Sequence, residues 1–153
     1  MNSPPRISTG LKGLDSILDG LRIGDNVVWN IDSIGDYRFF VGPFVRKALQ
    51  EGKKIIYMRF GQHPPLVNAG PNVTIYKLDA YRGFESFATR VHAIITSEGR
   101  GTFYVFDCLS DLLFAWATDL MIRVAITWCS AKATASWPNM LACASLAGSA
   151  TTI

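Results

Sequence analysis

The stretch WNIDSIGDYRFF, residues 29–40, holds the polar residues whose types and spacing come closest to nucleotide chemistry. A phosphate-binding loop has the pattern G-x-x-x-x-G-K-[S/T]. Its glycines let backbone N–H groups converge on phosphate, its lysine adds charge and its hydroxyl holds magnesium. In register, the two glycines, the lysine and the hydroxyl are replaced by Ile31, Asp36, Tyr37 and Arg38. All four required positions differ, so we expect no working phosphate loop.

The same loop can be interpreted as a helix N-terminus whose free N–H groups are bound by the loop's own side chains. Asp32 and Asp36 would repel a triphosphate at close range. A helix N-terminus carries unsatisfied N–H groups and partial positive charge, which a carboxylate stabilises. We therefore predict that Asp36 is the N-cap of the next helix, with Asp32 and Ser33 in the preceding turn. If a nucleotide binds, the candidate residues are those of this degenerate loop: Asp32, Ser33, Gly35, Asp36, Tyr37 and Arg38.

The elements around this loop alternate between strand and helix patterns. Apolar, β-rich runs predict strands at 26–31, 53–60, 73–78 and 101–107. Apolar spacings of three and four predict helices at 9–21, 37–52, 83–99 and 108–122, the second of them kinked or restarted at Gly42-Pro43. Near-continuous apolar strands, expected to be buried, indicate an α/β fold with a mostly parallel sheet and helices on both faces. Ligands of such sheets bind beyond the carboxyl ends of the strands, so the loop after 26–31 is the expected site.

The length fits one domain, with an N-terminal arm at 1–9, a core at 10–122 and a tail at 123–153. The tail is rich in Ala, Ser and Thr, contains no Asp or Glu, and keeps no steady period. One interpretation is a small-residue helix followed by a loose tail. The other, which we favour, is a reading-frame shift near Ile122 that leaves the fold truncated on its C-terminal side.

The formal charge of +3 demands neither nucleic acid nor a membrane as partner. The densest basic group comprises Arg46, Lys47, Lys53 and Lys54. We interpret it as a solvated helix end favoured by the helix dipole, with a phosphate-contacting patch as the alternative.

No nucleophilic triad or metal set emerges from the His and Cys residues. Cys108, Cys129 and Cys143 match no zinc or disulfide spacing, which indicates a reducing cytoplasm, and Cys108 is expected to be buried and inert. The chain shows neither a secretory signal nor an apolar run long enough to span a membrane. The phenylalanines at core spacing are read as core: Phe39, Phe40, Phe44, Phe84, Phe87, Phe103 and Phe106.

Three segments carry a family resemblance. STGLKGLDSILDGLRIGDNVVW resembles the opening of the RecA/KaiC-like P-loop ATPases, KKIIYMRF is similar to their next strand, and FYVFDCLSDL resembles their Walker B strand. The resemblance implies a RecA-like sheet with Asp107 at the position of the acid that helps hold magnesium in active members. The catalytic glutamates of active KaiC-like members are missing, since Phe60 is followed by Gly61, Gln62 and His63. The resemblance therefore implies the fold without the ATPase activity.

A narrower resemblance covers roughly residues 6–122. The segments GDNVVWNIDSIGDYRFFVGPFVRKAL, YMRFGQHPPLV and FYVFDCLSDL look like the Walker-deficient N-terminal domain of certain phosphoenolpyruvate synthase / pyruvate phosphate dikinase-like proteins. In that group the degenerate loop is the normal state. The dikinase chemistry lies in later ATP-grasp and phosphohistidine domains that this chain does not resemble. Neither His63 nor His92 is therefore read as a phosphohistidine.

Together these features predict a cytoplasmic, non-catalytic pseudo-ATPase domain without a cofactor. Its role would be structural or regulatory, through an adjacent domain or a protein partner. One alternative is binding of ATP and magnesium without hydrolysis through Arg38 and Asp107. Others are a single-stranded nucleic-acid module using the basic group at 46–54, and a broken gene product without a function of its own. A truncated sheet would leave an open edge, so self-association is also expected.

Overall fold

A computed structural model of the chain describes residues 6–99, 101–116 and 140–145. The helices are α1 (Lys12–Leu18), α2 (Ile34–Gln50), α3 (Phe84–Glu98) and α4 (Leu109–Trp116), with a 3₁₀ turn at Ala80–Arg82. The strands are β1 (Arg6–Ile7), β2 (Leu21–Arg22), β3 (Asn26–Ile31), β4 (Lys54–Arg59), β5 (Val73–Lys77), β6 (Thr102–Asp107) and β7 (Met140–Ser145).

The main sheet has five strands in the order β3-β7-β6-β4-β5, and every pairing in it is parallel. Because the side chains of a strand alternate between faces, two separate cores form. On one face α2 packs on Ile55, Tyr57 and Val105. On the other, α3 and α4 pack on Ile56, Met58 and Tyr104. The predicted α/β class is confirmed, with a parallel sheet and helices on both faces.

Strand β3 has the predicted bounds but is not the buried strand that was expected. It lies at one end of the strand order, and Val28 and Asn30 are exposed while Ile31 is buried. Residues Val27 and Trp29 pack toward α2, where the ring of Trp29 stacks on Phe40 with 4.1 Å between centroids. A continuous apolar run does not distinguish an edge strand from a central one, which is why the prediction was wrong.

Helix α2 begins three residues earlier than predicted and continues through Pro43. Pro43 cannot donate to the carbonyl of Phe39, but the helix does not restart there. The helix ends near the predicted stop, since Gly52 follows the C-cap Glu51 with a φ of +71°. The predicted core role of Phe39 is wrong, because it lies on the outer face of α2 and is 63% exposed. Phe44, Phe87, Phe103 and Phe106 are buried as predicted.

The fold begins within the segment 1–9, which was predicted to be an arm outside the core. Strand β1 pairs antiparallel with β2, and Ile7 and Thr9 are buried. The helix predicted over 9–21 is shorter, because α1 covers only Lys12–Leu18 and none of its described residues is buried.

Asp15 organises this N-terminal segment. Its Oδ1 accepts hydrogen bonds from the backbone N–H of Thr9 at 2.7 Å and from the Thr9 hydroxyl at 2.6 Å, and its Oδ2 accepts from Ser8. Gly10 then packs against α2 so closely that a Cβ there would lie 2.3 Å from the carbonyl oxygen of Pro43. The STG…D pattern of the sequence is therefore a structural anchor between the N-terminal segment and α2.

Most of the predicted tail at 123–153 lies outside the described residues. The exception is β7, which lies between β3 and β6 and which neither interpretation of the tail predicted. Its sequence, MLACAS, contains no β-branched or aromatic residue, so its strand propensity is weak. In the part of the chain that the structure describes, no helix combines the length and apolar character needed to cross a membrane.

Candidate functional site at the carboxyl edge of the sheet

The carboxyl ends of β3, β4 and β6 lie at the same edge of the sheet because the strands are parallel. Arg59 at the end of β4 is in register with Asp107 at the end of β6. The loop at 32–33 follows β3, the loop at 60–72 follows β4, and the peptide between Asp107 and Cys108, which is cis, follows β6. The edge therefore brings the loop after β3 and Asp107 to the site that the fold class predicts.

The N-terminus of α2 is capped by Ser33 and not by Asp36. The hydroxyl of Ser33 accepts a hydrogen bond from the N–H of Gly35 at 3.2 Å, and its carbonyl accepts from the N–H of Asp36 at 2.9 Å. The cap assignment to Asp36 was wrong because the helix begins at Ile34, which puts Asp36 inside the first turn. There its charge still complements the helix dipole. The N–H groups of Gly35 and Asp36 are thus bound by the hydroxyl and the carbonyl of Ser33, and not by the carboxylate that was predicted.

The other loop residues are either exposed or removed into the core. Tyr37, at the position of the lysine, is fully buried in the core under α2. Arg38 is exposed and donates from Nε to the carbonyl oxygen of Gly35 at 3.0 Å. Asp32 and Asp36 are exposed. Two carboxylates and one cation therefore lie at the surface of the loop, whereas the Tyr37 side chain lies in the core.

Asp107 is engaged by the chain itself. It is fully buried, the hydroxyl of Tyr57 donates to its Oδ2, and Nε2 of His63 lies 2.9 Å from its Oδ1. Burial raises the pKa of Asp107, while the hydrogen bonds from Tyr57 and His63 oppose that rise. Burial, together with the charge of Asp107, also raises the pKa of the Tyr57 hydroxyl, which therefore stays protonated and donates. Both carboxyl oxygens of Asp107 are occupied by protein groups.

The proton arrangement of His63 follows from its partners. Its Nδ1 lies 2.8 Å from the carbonyl oxygen of Pro64, and a carbonyl only accepts, so Nδ1 carries a proton. The Nε2 atom then shares a single proton with Asp107. Either a neutral imidazole accepts from a protonated carboxyl, or an imidazolium donates to a carboxylate. In both cases the pair is neutral overall, which is the state that burial favours.

Further hydrogen bonds hold the loop after β4 over Asp107. A guanidinium N–H of Arg59 donates to the carbonyl oxygen of His63, and the N–H of Leu66 donates to the Tyr57 hydroxyl at 3.3 Å. The N–H of Phe60 donates to the carbonyl oxygen of Asp107 at 2.8 Å. The loop is thus fastened to both β4 and β6, and it covers the acid.

A second carboxylate lies beside His63. A Cβ at Gly61 would lie 2.5 Å from Oδ2 of Asp111 and 2.9 Å from Nε2 of His63, so Asp111 and His63 both pack on this glycine. Burial raises the pKa of Asp111, and the nearby Asp107 adds to the rise. Even so, within the described residues no group of three or more His, Cys, Asp or Glu side chains is arranged to hold a metal ion.

An open cleft of about 350 Å³ separates the N-terminus of α2 from the loop after β4. One wall carries Ile34 and Arg38, and the other carries His63 and Leu66 with the two intervening prolines. This volume is at the lower end of small-molecule sites. Arg38 and His63 carry the polar side chains of this lining.

The sequence interpretation missed His63 as a partner of Asp107. It treated His63 as a loop residue and found no His/Asp constellation, because 44 residues separate the two. The only available signal was that His63 follows one predicted parallel strand and Asp107 ends another, and the carboxyl ends of such strands share an edge.

The basic group at 46–54 is largely engaged within the protein. Lys47 pairs with Glu51 at 3.0 Å, Lys54 pairs with Glu98, and Nζ of Lys53 lies 6.0 Å from the ring centroid of Phe103. The side chains of Lys47 and Lys54 are 40% and 47% exposed, so both remain in contact with solvent. Cys108 is buried, as predicted.

A scan against protein-family models finds no match for this chain, and a search of curated proteins finds no significant relative.

Proposed function

We propose that this chain is a non-catalytic domain of the RecA/KaiC-like type, corresponding to the Walker-deficient N-terminal domain of pyruvate phosphate dikinase-like proteins. Its role is structural or regulatory, through contacts to an adjacent domain or a protein partner. The observation that carries the proposal is the state of Asp107. It is fully buried, and each of its oxygens already has a protein partner, Tyr57 or His63.

Magnesium chemistry requires the opposite arrangement. Mg²⁺ keeps several waters and is held through one or two carboxylates together with substrate phosphates, so its acid must be reachable from solvent. Releasing Asp107 would remove the hydrogen bonds that the Tyr57 hydroxyl and Nε2 of His63 form with it. The loop after β3 is also unsuited to a phosphate. Its Ser33 accepts the hydrogen bond from the N–H of Gly35, and Asp36 adds a carboxylate in the same turn.

A thermal melt of the purified chain with and without millimolar Mg-ATP, Mg-ADP or Mg-GTP tests this proposal. A ligand of the native state must raise the melting temperature, by a free energy equivalent to about 2.7 kcal/mol at 100 times its Kd. We expect a cooperative melt with no shift. A shift that is lost in both Arg38→Gln and Asp107→Asn would overturn the proposal.

One observation favours binding without hydrolysis as the second candidate function. The cleft beside Arg38 lies at the strand ends, where ligands of α/β sheets bind. Under this candidate, Arg38→Gln abolishes the nucleotide-dependent shift. Arg46→Gln, on the same helix and also exposed, leaves the shift unchanged. Equal effects of the two variants would indicate a general charge effect and would count against a site at Arg38.

A further inference from the structure

A second cleft, of about 300 Å³, opens beside the carboxyl end of β5 and shares no lining residue with the cleft at Arg38. Its charged and polar lining comprises Lys77 at the end of β5, Asp79 and Arg82 around the 3₁₀ turn, and Ser86 and Arg90 on α3. Three cations and one carboxylate give the lining a formal net charge of two positive. A concave, positively charged lining raises the local concentration of anions.

The positive charges of this cleft are poorly compensated by the protein. The side chains of Lys77 and Arg90 form no hydrogen bond or ion pair with any residue that the structure describes. Nε of Arg82 lies 3.6 Å from Oδ2 of Asp79, which is beyond hydrogen-bond distance, and Oδ1 of Asp79 accepts the N–H of Tyr81 at 3.0 Å. The lone carboxylate is therefore partly engaged in capping the 3₁₀ turn.

Helix α3 adds to the positive potential. It begins at Phe84 after Gly83, and no side chain of the described residues caps its N-terminus. Ser86 lies in the first turn, and Arg90 lies four residues later on the same side of the helix. The hydroxyl, the guanidinium and the end of the helix dipole thus act on the same cleft.

The cleft also has an apolar floor. Leu78 and Phe87 line it and are both buried. Its volume is at the lower end for small-molecule sites, which combine apolar walls with a few placed polar groups. An organic group can therefore rest on this floor while an anionic group meets the cations.

We infer that this cleft binds the phosphate group of a small molecule. A phosphate monoester carries a charge of about −1.5 to −2 at neutral pH, which complements a lining of two positive charges. Arginine is the side chain best suited to bind phosphate, since a guanidinium can donate two parallel hydrogen bonds to it. The inference is independent of the function proposed for the Asp107 site.

Titrations followed by NMR at about 150 mM salt, a concentration that screens loose surface attraction, test the inference. The probes are glucose 6-phosphate, inorganic phosphate and glucose. We expect both phosphates to bind and glucose not to bind. Tighter binding of the sugar phosphate assigns an organic ligand to the apolar floor, and equal binding assigns free phosphate.

Arg90→Gln and Lys77→Gln are each expected to weaken phosphate binding by about tenfold or more, because each removes a charge-assisted hydrogen bond. Arg46→Gln is the matched control, since it removes an exposed helix arginine outside the cleft. Each variant is first shown to melt at the wild-type temperature. Equal weakening of phosphate binding by Arg90→Gln and Arg46→Gln would overturn the inference. So would the absence of binding of both phosphates at about 10 mM, a concentration at which even millimolar affinity is detectable.

Two further outcomes separate this site from other ligands. Binding of a single-stranded oligonucleotide that is stronger than that of glucose 6-phosphate and is lost in Arg90→Gln would overturn the small-molecule assignment. A Mg-ATP shift that is lost in Arg90→Gln but kept in Arg38→Gln would support this cleft. It would leave the proposal for Asp107 intact.

Discussion

The Nε2 atom of His63 lies 2.9 Å from Oδ1 of Asp107, and this contact joins two residues that are 44 positions apart in the chain. The Tyr57 hydroxyl donates to the other oxygen of the same carboxyl. The acid that the RecA/KaiC-like resemblance places beside magnesium is therefore bound by the protein. It also fixes the position of the loop after β4, which supplies His63.

Asn at position 107 should preserve this arrangement. Its carbonyl oxygen can accept from Tyr57, and its amide can donate to a neutral Nε2 of His63. We expect Asp107→Asn to change the free energy of unfolding by less than about 1 kcal/mol at pH 7, whereas Asp107→Ala should cost about 2–4 kcal/mol, because it leaves buried partners unsatisfied. Urea denaturation measures both. A loss in Asp107→Asn as large as in Asp107→Ala would show that Asn does not replace the carboxyl in these two hydrogen bonds.

The Tyr57 hydroxyl should control the opening of the loop after β4. It accepts the N–H of Leu66 at 3.3 Å, so Tyr57→Phe removes the only partner that the structure gives this N–H. We expect hydrogen exchange at the Leu66 amide to become about tenfold faster or more, since a net loss of about 1–1.5 kcal/mol is typical for such a bond. Tyr76→Phe is the control, because the Tyr76 hydroxyl donates to Glu98 instead. Unchanged exchange at Leu66 in Tyr57→Phe would exclude this role.

The N-terminal anchor should be sensitive to acid. Burial alone would raise the pKa of Asp15, but hydrogen bonds from Ser8 and Thr9 outweigh it and lower that pKa below the ordinary value of 3.8. The stabilising contribution is therefore fully present above pH 3.8 and is lost as the pH falls through the lower folded value. We expect Asp15→Asn to cost about 1–2 kcal/mol at pH 7, and the difference from wild type to close in acid.

Urea denaturation of wild type and Asp15→Asn between pH 7 and pH 2, a range that brackets the titration of a carboxylate, measures this difference. Asp36→Asn serves as the control. Asp36 is exposed in the first turn of α2, so only its interaction with the helix dipole is lost, at a cost below about 1 kcal/mol. A difference for Asp15→Asn that does not depend on pH would mean that the charge of Asp15 contributes nothing.

The elements with strong periodicity were predictable from sequence, and their relative positions were not. Strand β3 has the predicted bounds, and α3 differs from its predicted range by one residue at each end. The order of the strands depends on long-range pairing, which local pattern does not encode. For that reason the edge position of β3 and the position of β7 between β3 and β6 were both missed.

The location of the site could be predicted from the sequence, but the hydrogen bonds between its side chains could not. Fold class alone places the loop after β3 and the end of β6 at one edge of the sheet. The Ser33-x-x-Asp36 spacing is a capping-box pattern, which predicts a helix that starts at Ile34. The prediction instead made Asp36 the N-cap, because its negative charge suits a helix N-terminus. The partnership of His63 and Asp107 depends on the path of the loop between them, which no spacing rule supplies.

Gly10 should be far less replaceable than its conformation alone implies. Gly10 and Gly52 have similar positive φ values, +81° and +71°, so alanine strains the backbone at both positions. At Gly10 the added Cβ would also lie 2.3 Å from the carbonyl oxygen of Pro43, while at Gly52 it meets nothing within 4 Å. We expect Gly52→Ala to cost about 1 kcal/mol and Gly10→Ala at least about 2 kcal/mol more in urea denaturation. Equal costs would show that the N-terminal segment is not anchored on α2.

Strand β3 should make the protein self-associate. It ends the strand order, so no described strand pairs with its outer edge, and Val28 on it is 48% exposed. Such an edge can pair with a second copy, and a lysine within it opposes that pairing. We expect wild type to elute from a sizing column in a concentration-dependent way, and Val28→Lys to elute as a monomer. Thr96→Lys adds the same charge on an exposed part of α3 and should behave as wild type. A wild type that stays monomeric at about 100 μM, a concentration at which associations of micromolar affinity are populated, would contradict this prediction.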